Sequence, residues 1–288
     1  MKPLFMWAGG KNKMLKKYAP HLPENFTRYI EPFFGGGAMF VWAYQKNPEA
    51  SFVINDINPS IMGIYRAIRD DVPAFTARVD DLSNNYLPKE KAARKEYYYE
   101  LRLEHAYEYE KWNATTEAAT LYFLMKTGFN GIWQINKNTN NRFGTPSGLL
   151  NQKDKVYDIE NVMEWHIALQ KCVLLSGDFS GTLGSANSDA FIFLDPPYRG
   201  SFTQYGVDFD DNLQREVVNY LNKAADRGAK VLMSNRDVGD GFFEELQGDN
   251  DMVYFDVTYT AGRRKKEEDG SHTAKKAREI LMISRTPQ

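Results

Sequence analysis

A carboxylate, two prolines and a phenol stand in a row at Asp195-Pro196-Pro197-Tyr198, directly after the apolar run Phe-Ile-Phe-Leu at 191–194. The run has the length and composition of a strand buried on both faces. The prolines, which lack an N–H and fix φ, end it abruptly. What lies beyond the stop suits a flat heterocycle bearing an exocyclic amine. The Asp195 carboxylate and the Pro196 carbonyl are acceptors for the hydrogens of an NH2 group. The Tyr198 ring can stack on the face of the heterocycle. Strand ends of open α/β sheets are also where ligands bind. Taken alone, the four residues equally describe a turn closing a strand.

A second constellation lies near the start. Phe33-Phe34-Gly35-Gly36-Gly37 follows a predicted strand and precedes a predicted helix. Glycines there let the backbone approach a ligand closely. The run is not the G-x-G-x-x-G fingerprint, so a pyrophosphate cofactor is not indicated. About twenty residues on, Asp56 ends the next strand, where a carboxylate can take both hydroxyls of a ribose. That pairing suits a nucleoside cofactor without phosphates, and S-adenosylmethionine is such a molecule. Trp7-Ala8-Gly9-Gly10-Lys11 adds a small loop with a cation. Lys11 can pair with a methionyl carboxylate, or be a surface lysine beside a core tryptophan.

The elements that must position these residues alternate in type. Strand-like residues 29–34 lead through the glycines into a helix over 38–45, and residues 52–56 form a second short strand. Asn58 is a helix N-cap with Pro59 at the first helical position. Ile61, Ile64, Tyr65 and Ile68 then fall on one face. From about residue 70 the pattern turns helical, tyrosine-rich and charged over 89–110. A further helix carries Ala118, Leu121, Tyr122 and Met125 on one face, with Gly128 as its stop. Residues 128–151 are Asn-rich and read as too polar for core. Strand–helix alternation resumes with 173–178 and 191–194. A helix bearing Val217, Tyr220, Leu221 and Ala224 follows and ends at Gly228, and then comes a strand over 229–235. Two β-rich runs, 253–260 and 279–284, flank a charged segment, as in a hairpin with a long loop. The sequence therefore predicts an α/β fold with a parallel sheet, interrupted by a mostly helical insertion.

Length sets the prior at about two domains. Cys172 is the only cysteine, which excludes an intrachain disulfide, and the four histidines have no metal-ligand spacing. The chain reads as metal-free. No signal peptide and no membrane-length apolar run is visible, so a cytosolic setting is expected. Net charge is −2, which does not advertise nucleic-acid binding, but its distribution is uneven. Arg263, Arg264, Lys265, Lys266, Lys275, Lys276 and Arg278 are opposed by Glu267, Glu268 and Asp269 alone, and Lys11, Lys13, Lys16 and Lys17 form a second cluster. Charge runs of this kind are also found on ordinary solvated faces.

Together the motifs carry a family likeness. Trp-Ala-Gly-Gly-Lys, Glu-Pro-Phe-Phe-Gly-Gly-Gly, Asn-Asp-Ile-Asn, Phe-Asn-Gly, Ser-Gly-Asp-Phe, Asp-Pro-Pro-Tyr and Ser-Asn-Arg-Asp occur in that order. The chain resembles the Dam-type DNA adenine-N6 methyltransferases, the D12 class in the α-group arrangement, over roughly residues 5–283. The resemblance implies a Rossmann-like S-adenosylmethionine-dependent methyltransferase sheet, built from residues 1–66 and 173–288. Residues 67–172 would form the inserted helical target-recognition domain. It implies cofactor contacts at Trp7, Lys11, Phe33, Gly35, Asp56, Asp178, Phe179 and Asp195. Asp195, Pro196 and Tyr198 would be catalytic. DNA contacts would come from Phe129, Asn130, Gln134, Arg263, Arg264, Lys265, Lys266, Lys275 and Lys276. The implied partner is double-stranded DNA, with the target adenine flipped out of the duplex, in a bacterial cell or phage-infected host.

One position departs from the family. Three residues beyond the glycine of Phe129-Asn130-Gly131 the family usually carries an arginine thought to read a guanine, and here stands Gln134. Arginine matches guanine O6/N7 and glutamine matches adenine N6/N7, so the target is expected to differ from GATC or to be looser. Three other readings remain open at this point. One is an amino-methyltransferase for cytosine N4, RNA or protein glutamine, against which Asp195 argues. Another is a DNA-binding module without catalysis. The third is a nicotinamide-dependent oxidoreductase, against which the missing phosphate fingerprint argues. Biological role, whether restriction–modification, phage protection or regulation, is not encoded in these motifs.

Overall fold

The apolar runs alternate their side chains between two cores, as a pleated backbone requires. The computed structural model describes residues 1–7, 9–131, 133–148, 155–200, 209–259, 265–266, 272–273 and 275–285. Its first half comprises α1 (Leu15–Tyr18), β1 (Arg28–Glu31), α2 (Ala38–Lys46), β2 (Ser51–Asp56) and α3 (Pro59–Asp70). Then come α4 (Val72–Tyr86), α5 (Lys91–Tyr107), α6 (Ala114–Thr127) and the small hairpin β3 (Ile135–Asn136) and β4 (Arg142–Phe143). The second half holds α7 (Ile159–Leu169), β5 (Cys172–Ser176), β6 (Ala190–Leu194), α8 (Asp211–Ala225), β7 (Lys230–Asp237) and α9 (Phe242–Leu246). It closes with β8 (Asp251–Tyr259), β9 (Lys265–Lys266), β10 (His272–Thr273) and β11 (Lys275–Ile283).

Among the described residues, seven strands form one sheet in the order β5-β2-β1-β6-β7-β11-β8. The first five are parallel to their neighbours, and β11 runs antiparallel between β7 and β8. Tyr29, Phe52, Ile54, Phe191 and Phe193 enter one core, under α2, α3, α6 and α7. Their alternates Ile30, Val53, Ile192 and Leu194 enter the other, under α8. Each such side chain contributes about 1.5–3 kcal/mol on burial. The result is the Rossmann-like three-layer sheet expected from the sequence. Chain order reverses between β1 and β6, and a crevice at such a switch point is the usual ligand site.

Local signals act as read. The Asn58 side chain accepts from the N–H groups of Ser60 and Ile61 at 3.1 and 3.3 Å, with Pro59 opening α3. Asp210 caps α8 through Leu213 N at 2.9 Å. Ile61, Ile64, Tyr65 and Ile68 are all buried. β8 and β11 form the terminal hairpin, with β9 and β10 pairing between them.

Three expectations change. First, α6 is buried on every side from Ala118 to Met125, because it packs against both α3 and α4; a one-faced pattern is the signature of a surface helix. Second, Gly128 ends α6 in extended rather than left-handed backbone, at φ −76°. Glycine is needed there for space, since a Cβ would lie 2.8 Å from the Leu124 carbonyl oxygen. Third, the polar stretch 128–151 does contribute core. Trp133, Thr139, Phe143 and Thr145 are buried, because the β3–β4 hairpin folds back on α5, where Arg102 and Tyr98 bind the Thr145 carbonyl. The core under α3 runs on without a break through Phe75, Val79, Tyr86, Tyr98 and Phe123.

Candidate active site

The predicted cofactor and catalytic positions on β2 and β6 lie where these parallel strands end. β2 delivers Asp56, buried and doubly anchored. One carboxylate oxygen accepts from Gly35 N at 2.8 Å and the other from Asn58 N at 2.9 Å. Burial pushes the Asp56 carboxyl above its ordinary range, and the two N–H donors partly offset this. Each oxygen has one backbone donor and so retains acceptor capacity for the vicinal hydroxyls of a ribose. Gly35 holds φ +48°, and a Cβ there would strike the Trp7 indole. The Tyr65 hydroxyl donates to the Gly35 carbonyl at 3.0 Å. Phe33 stacks on Phe179, with centroids 5.1 Å apart, so these two predicted cofactor residues form one aromatic wall. Asp178 is exposed, and its carboxylate caps the following turn by accepting from Ser180 N at 2.9 Å. Asn55 ties the two flanking loops by donating to the carbonyls of Pro32 and Gly177 at 2.9 and 3.0 Å. A buried acid with acceptor capacity, an aromatic wall and a glycine turn under an indole fit an adenosyl group carrying no phosphate.

β6 delivers Asp195. Lys11 Nζ donates to its Oδ2 at 2.6 Å and Ser234 Oγ to its Oδ1 at 2.8 Å. Lys11 is buried, also donates to the Gly9 carbonyl at 2.8 Å, and lies 4.7 Å from the centroid of the Tyr198 ring. The sequence offered Lys11 a cofactor carboxylate or a surface place. The structure puts it against the two groups expected to receive the amine-bearing ring. The Tyr198 hydroxyl donates to Glu279 Oε2 at 3.1 Å. Burial, reinforced by Asp195, Tyr18 and Glu279, drives the Tyr198 phenol well above its ordinary pKa, so it remains a donor. Tyr18 is fully buried beside Ser234 and Tyr198, its phenol likewise raised chiefly by burial. At the tip of β1, Glu31 accepts from the Tyr29 hydroxyl at 2.8 Å, and burial raises its carboxyl well above the usual range.

The backbone of the motif is clamped as well. Gln214 of α8 donates to the Pro197 carbonyl at 2.8 Å, and Arg199 N donates to the Asn235 side-chain oxygen at 3.0 Å. Asn235 donates to Gln214 at 2.8 Å, closing the loop. These hydrogen bonds hold the segment around Pro196 in place. Ser234, Asn235 and Gln214 were unassigned in the sequence, although the first two stand in the Ser-Asn-Arg-Asp run.

Of the predicted recognition residues, those of the Phe-Asn-Gly turn and of the segment before β3 lie near the N-terminal loop. Phe129 is 44% exposed and Asn130 adopts φ 53°. Gly131 packs beside Met6, which brings the turn against the N-terminal loop. Gln134 is half-buried just before β3, and its carbonyl accepts from Gly144 N at 2.7 Å. The neighbouring Trp133 ring lies 6.3 Å from Trp7 and 5.5 Å from Phe143, linking hairpin to cofactor loop. Of the basic cluster, Lys276 is exposed on β11. Lys265, Lys266 and Lys275 lie on paired strand backbone, while Arg263 and Arg264 fall outside the described residues. Among the described residues, no group of three metal-ligating side chains converges and no helix is long and apolar enough to cross a membrane.

A sheet of this order, with the glycine turn and the Asp-Pro-Pro-Tyr motif at its strand ends, is that of a Rossmann-like S-adenosylmethionine-dependent methyltransferase. The family model for D12 class N6 adenine-specific DNA methyltransferases matches residues 7–260, and the chain belongs to that family. It is 31% identical over 261 residues to the type II methyltransferase M.MjaIII of Methanocaldococcus jannaschii, covering 87% of this chain and 89% of that one. Over 277 residues it is 28% identical to the type II methyltransferase M1.LlaDCHI of Lactococcus lactis subsp. cremoris, covering 92% and 90%. It is 28% identical over 240 residues to the retron Ec67 DNA adenine methylase of Escherichia coli, covering 82% and 78%. The protein is an enzyme that methylates adenine N6 in DNA, with S-adenosylmethionine as cofactor.

Proposed function

We propose that Asp195, Pro196 and Tyr198 perform the transfer on an adenine turned out of double-stranded DNA. The observation that carries this reading is Asp195 at the end of β6, its carboxylate held by Lys11 and Ser234, with the same Lys11 ammonium over the Tyr198 ring. Asp56, Gly35, Phe33, Phe179, Trp7 and the Asp178 turn would hold S-adenosylmethionine, which would supply the activated methyl group, its bond to sulfur giving way to the new bond to N6. N6 is a poor nucleophile because its lone pair is delocalised into the ring. Asp195 and the Pro196 carbonyl accept the amine hydrogens and favour a more tetrahedral nitrogen. Tyr198 stacks on the base and offsets part of the few kcal/mol that flipping costs. The Asp195 carboxylate then stabilises the charge developing on nitrogen and takes the proton that nitrogen sheds, before it passes to solvent.

The helical insertion 67–172 acts as the target-recognition part. Phe129 wedges into the stack, Asn130 and Gln134 probe the groove, and the basic hairpin, Arg263 to Lys276, meets phosphates. Gln134 in place of arginine supports a target other than GATC or looser than it. Relatives from bacteria and an archaeon support action inside a prokaryotic cell, with phage-infected hosts a related setting.

The test is Asp195→Ala. Methyl transfer to DNA should become undetectable while the melting curve stays cooperative and near that of the parent. Turnover at the parental rate would remove Asp195 from the reaction.

A further inference from the structure

Asp195 has two chemically equivalent oxygens, and in-line transfer requires that the amine meet one of them at a fixed place. The two oxygens are held by very different donors. Lys11 reaches Oδ2 on a flexible four-carbon stem from the N-terminal loop. Ser234 reaches Oδ1 from the middle of β7, a strand flanked on both sides by β6 and β11. Pairing of Leu194 with Met233 brings the ends of these parallel strands together, so Asp195 and Ser234 follow side by side. Ser234 is fully buried, its backbone is paired with Leu281 of β11, and Tyr18 is packed beside it.

We propose that Ser234 is the positioning residue for Asp195. Its hydroxyl locks Oδ1 in the plane set by the sheet, leaving Oδ2 as the oxygen that exchanges its Lys11 partner for the target amine. Ser234 acts through the carboxylate, and its hydroxyl also neighbours the phenols of Tyr18 and Tyr198. The inference rests on the reading of Asp195 as the amine acceptor. Without the hydroxyl the carboxylate can rotate, and a misplacement on the order of 1 Å costs about 100-fold in rate.

The experiment compares Ser234→Ala, Ser234→Thr and Asp195→Ala in the full chain. Cofactor affinity is measured by calorimetry, folding by thermal melting, and methyl transfer to adenine-containing duplex DNA by single turnover. Ser234→Ala should bind S-adenosylmethionine as the parent does and transfer about 10- to 100-fold more slowly. Ser234→Thr, which keeps the hydroxyl, should restore most of that rate. A parental rate in Ser234→Ala, with Asp195→Ala inactive, overturns the positioning role alone. A slower Ser234→Ala that Ser234→Thr does not rescue also overturns it, since the loss is then one of packing. Activity in Asp195→Ala overturns the catalytic reading, and the proposal with it.

Discussion

At Tyr198 the proposed function sets two requirements for one side chain. The ring would present a face to a base, and the phenol would be tethered so that the face stays put. Glu279 supplies the tether at 3.1 Å, and the Lys11 ammonium over the same ring shows that the face attracts positive charge. Tyr198→Ala should therefore slow transfer by the equivalent of one stacked base, about 1–3 kcal/mol or roughly 5- to 150-fold, with cofactor affinity nearly unchanged. Tyr198→Phe keeps the face and loses the tether, and should cost only about 0.5–1.5 kcal/mol. Rate and cofactor titration on both variants decide the matter. A large loss of cofactor affinity at an undiminished rate would assign the ring to the cofactor instead.

At the scale of elements, the β3–β4 hairpin depends on α5 beneath it. His105 of α5 is 1% exposed, and neither ring nitrogen has a hydrogen-bond partner among the described residues. Burial, with the Arg142 guanidinium of the hairpin nearby, pushes its imidazole down to about 3 from an ordinary 6.5. It is thus neutral when folded at physiological pH. Unfolding exposes an imidazole that takes up a proton below about pH 6.5, so in that window the unfolded chain binds more protons than the folded one. The stability contribution is complete above pH 6.5 and is lost progressively as pH falls toward about 3, by at most about 1.4 kcal/mol per pH unit. Urea unfolding of the parent should weaken between about pH 7 and pH 5 more steeply than that of His105→Leu. Parallel pH dependence in the two chains would show that His105 is not the group responsible.

For the whole molecule, the rings of Trp7 and Trp133 connect two segments of the fold. The indole that lies beside Gly35 also approaches the segment carrying Gln134. Under the proposed function, target choice belongs to that hairpin rather than to the strand ends. A guanidinium offers donors alone, which suits the two acceptors of guanine, whereas a glutamine amide offers donor and acceptor. Loss of a bidentate guanine contact forfeits about 1–3 kcal/mol of discrimination. Mapping N6-methyladenine in DNA from cells expressing the protein should give a motif other than GATC or a relaxed form of it. Strict GATC methylation by the parental chain would refute the assignment of Gln134.

Features that depend on a few neighbouring residues were legible without coordinates. The stop after Leu194, the Asn58-Pro59 helix start, the glycine turn and the acid at Asp56 each follow from backbone geometry within one or two turns of chain. The Asp-Pro-Pro-Tyr motif and the α/β order were readable for that reason, and the order of motifs pointed to the family. The partners that hold those residues in place were not legible. Ser234 is 39 residues from Asp195, Glu279 is 81 from Tyr198, and Lys11 is 184 from Asp195. Their meeting depends on β7 and β11 being laid beside β6, and on the N-terminal loop folding over the strand ends. The polar hairpin that proved partly buried belongs to the same class, because only α5 packing beneath it makes Trp133 and Phe143 core. Local sequence sets what a segment can form, whereas hydrogen bonds between strands are set by sheet order, which arises from the packing of the whole chain.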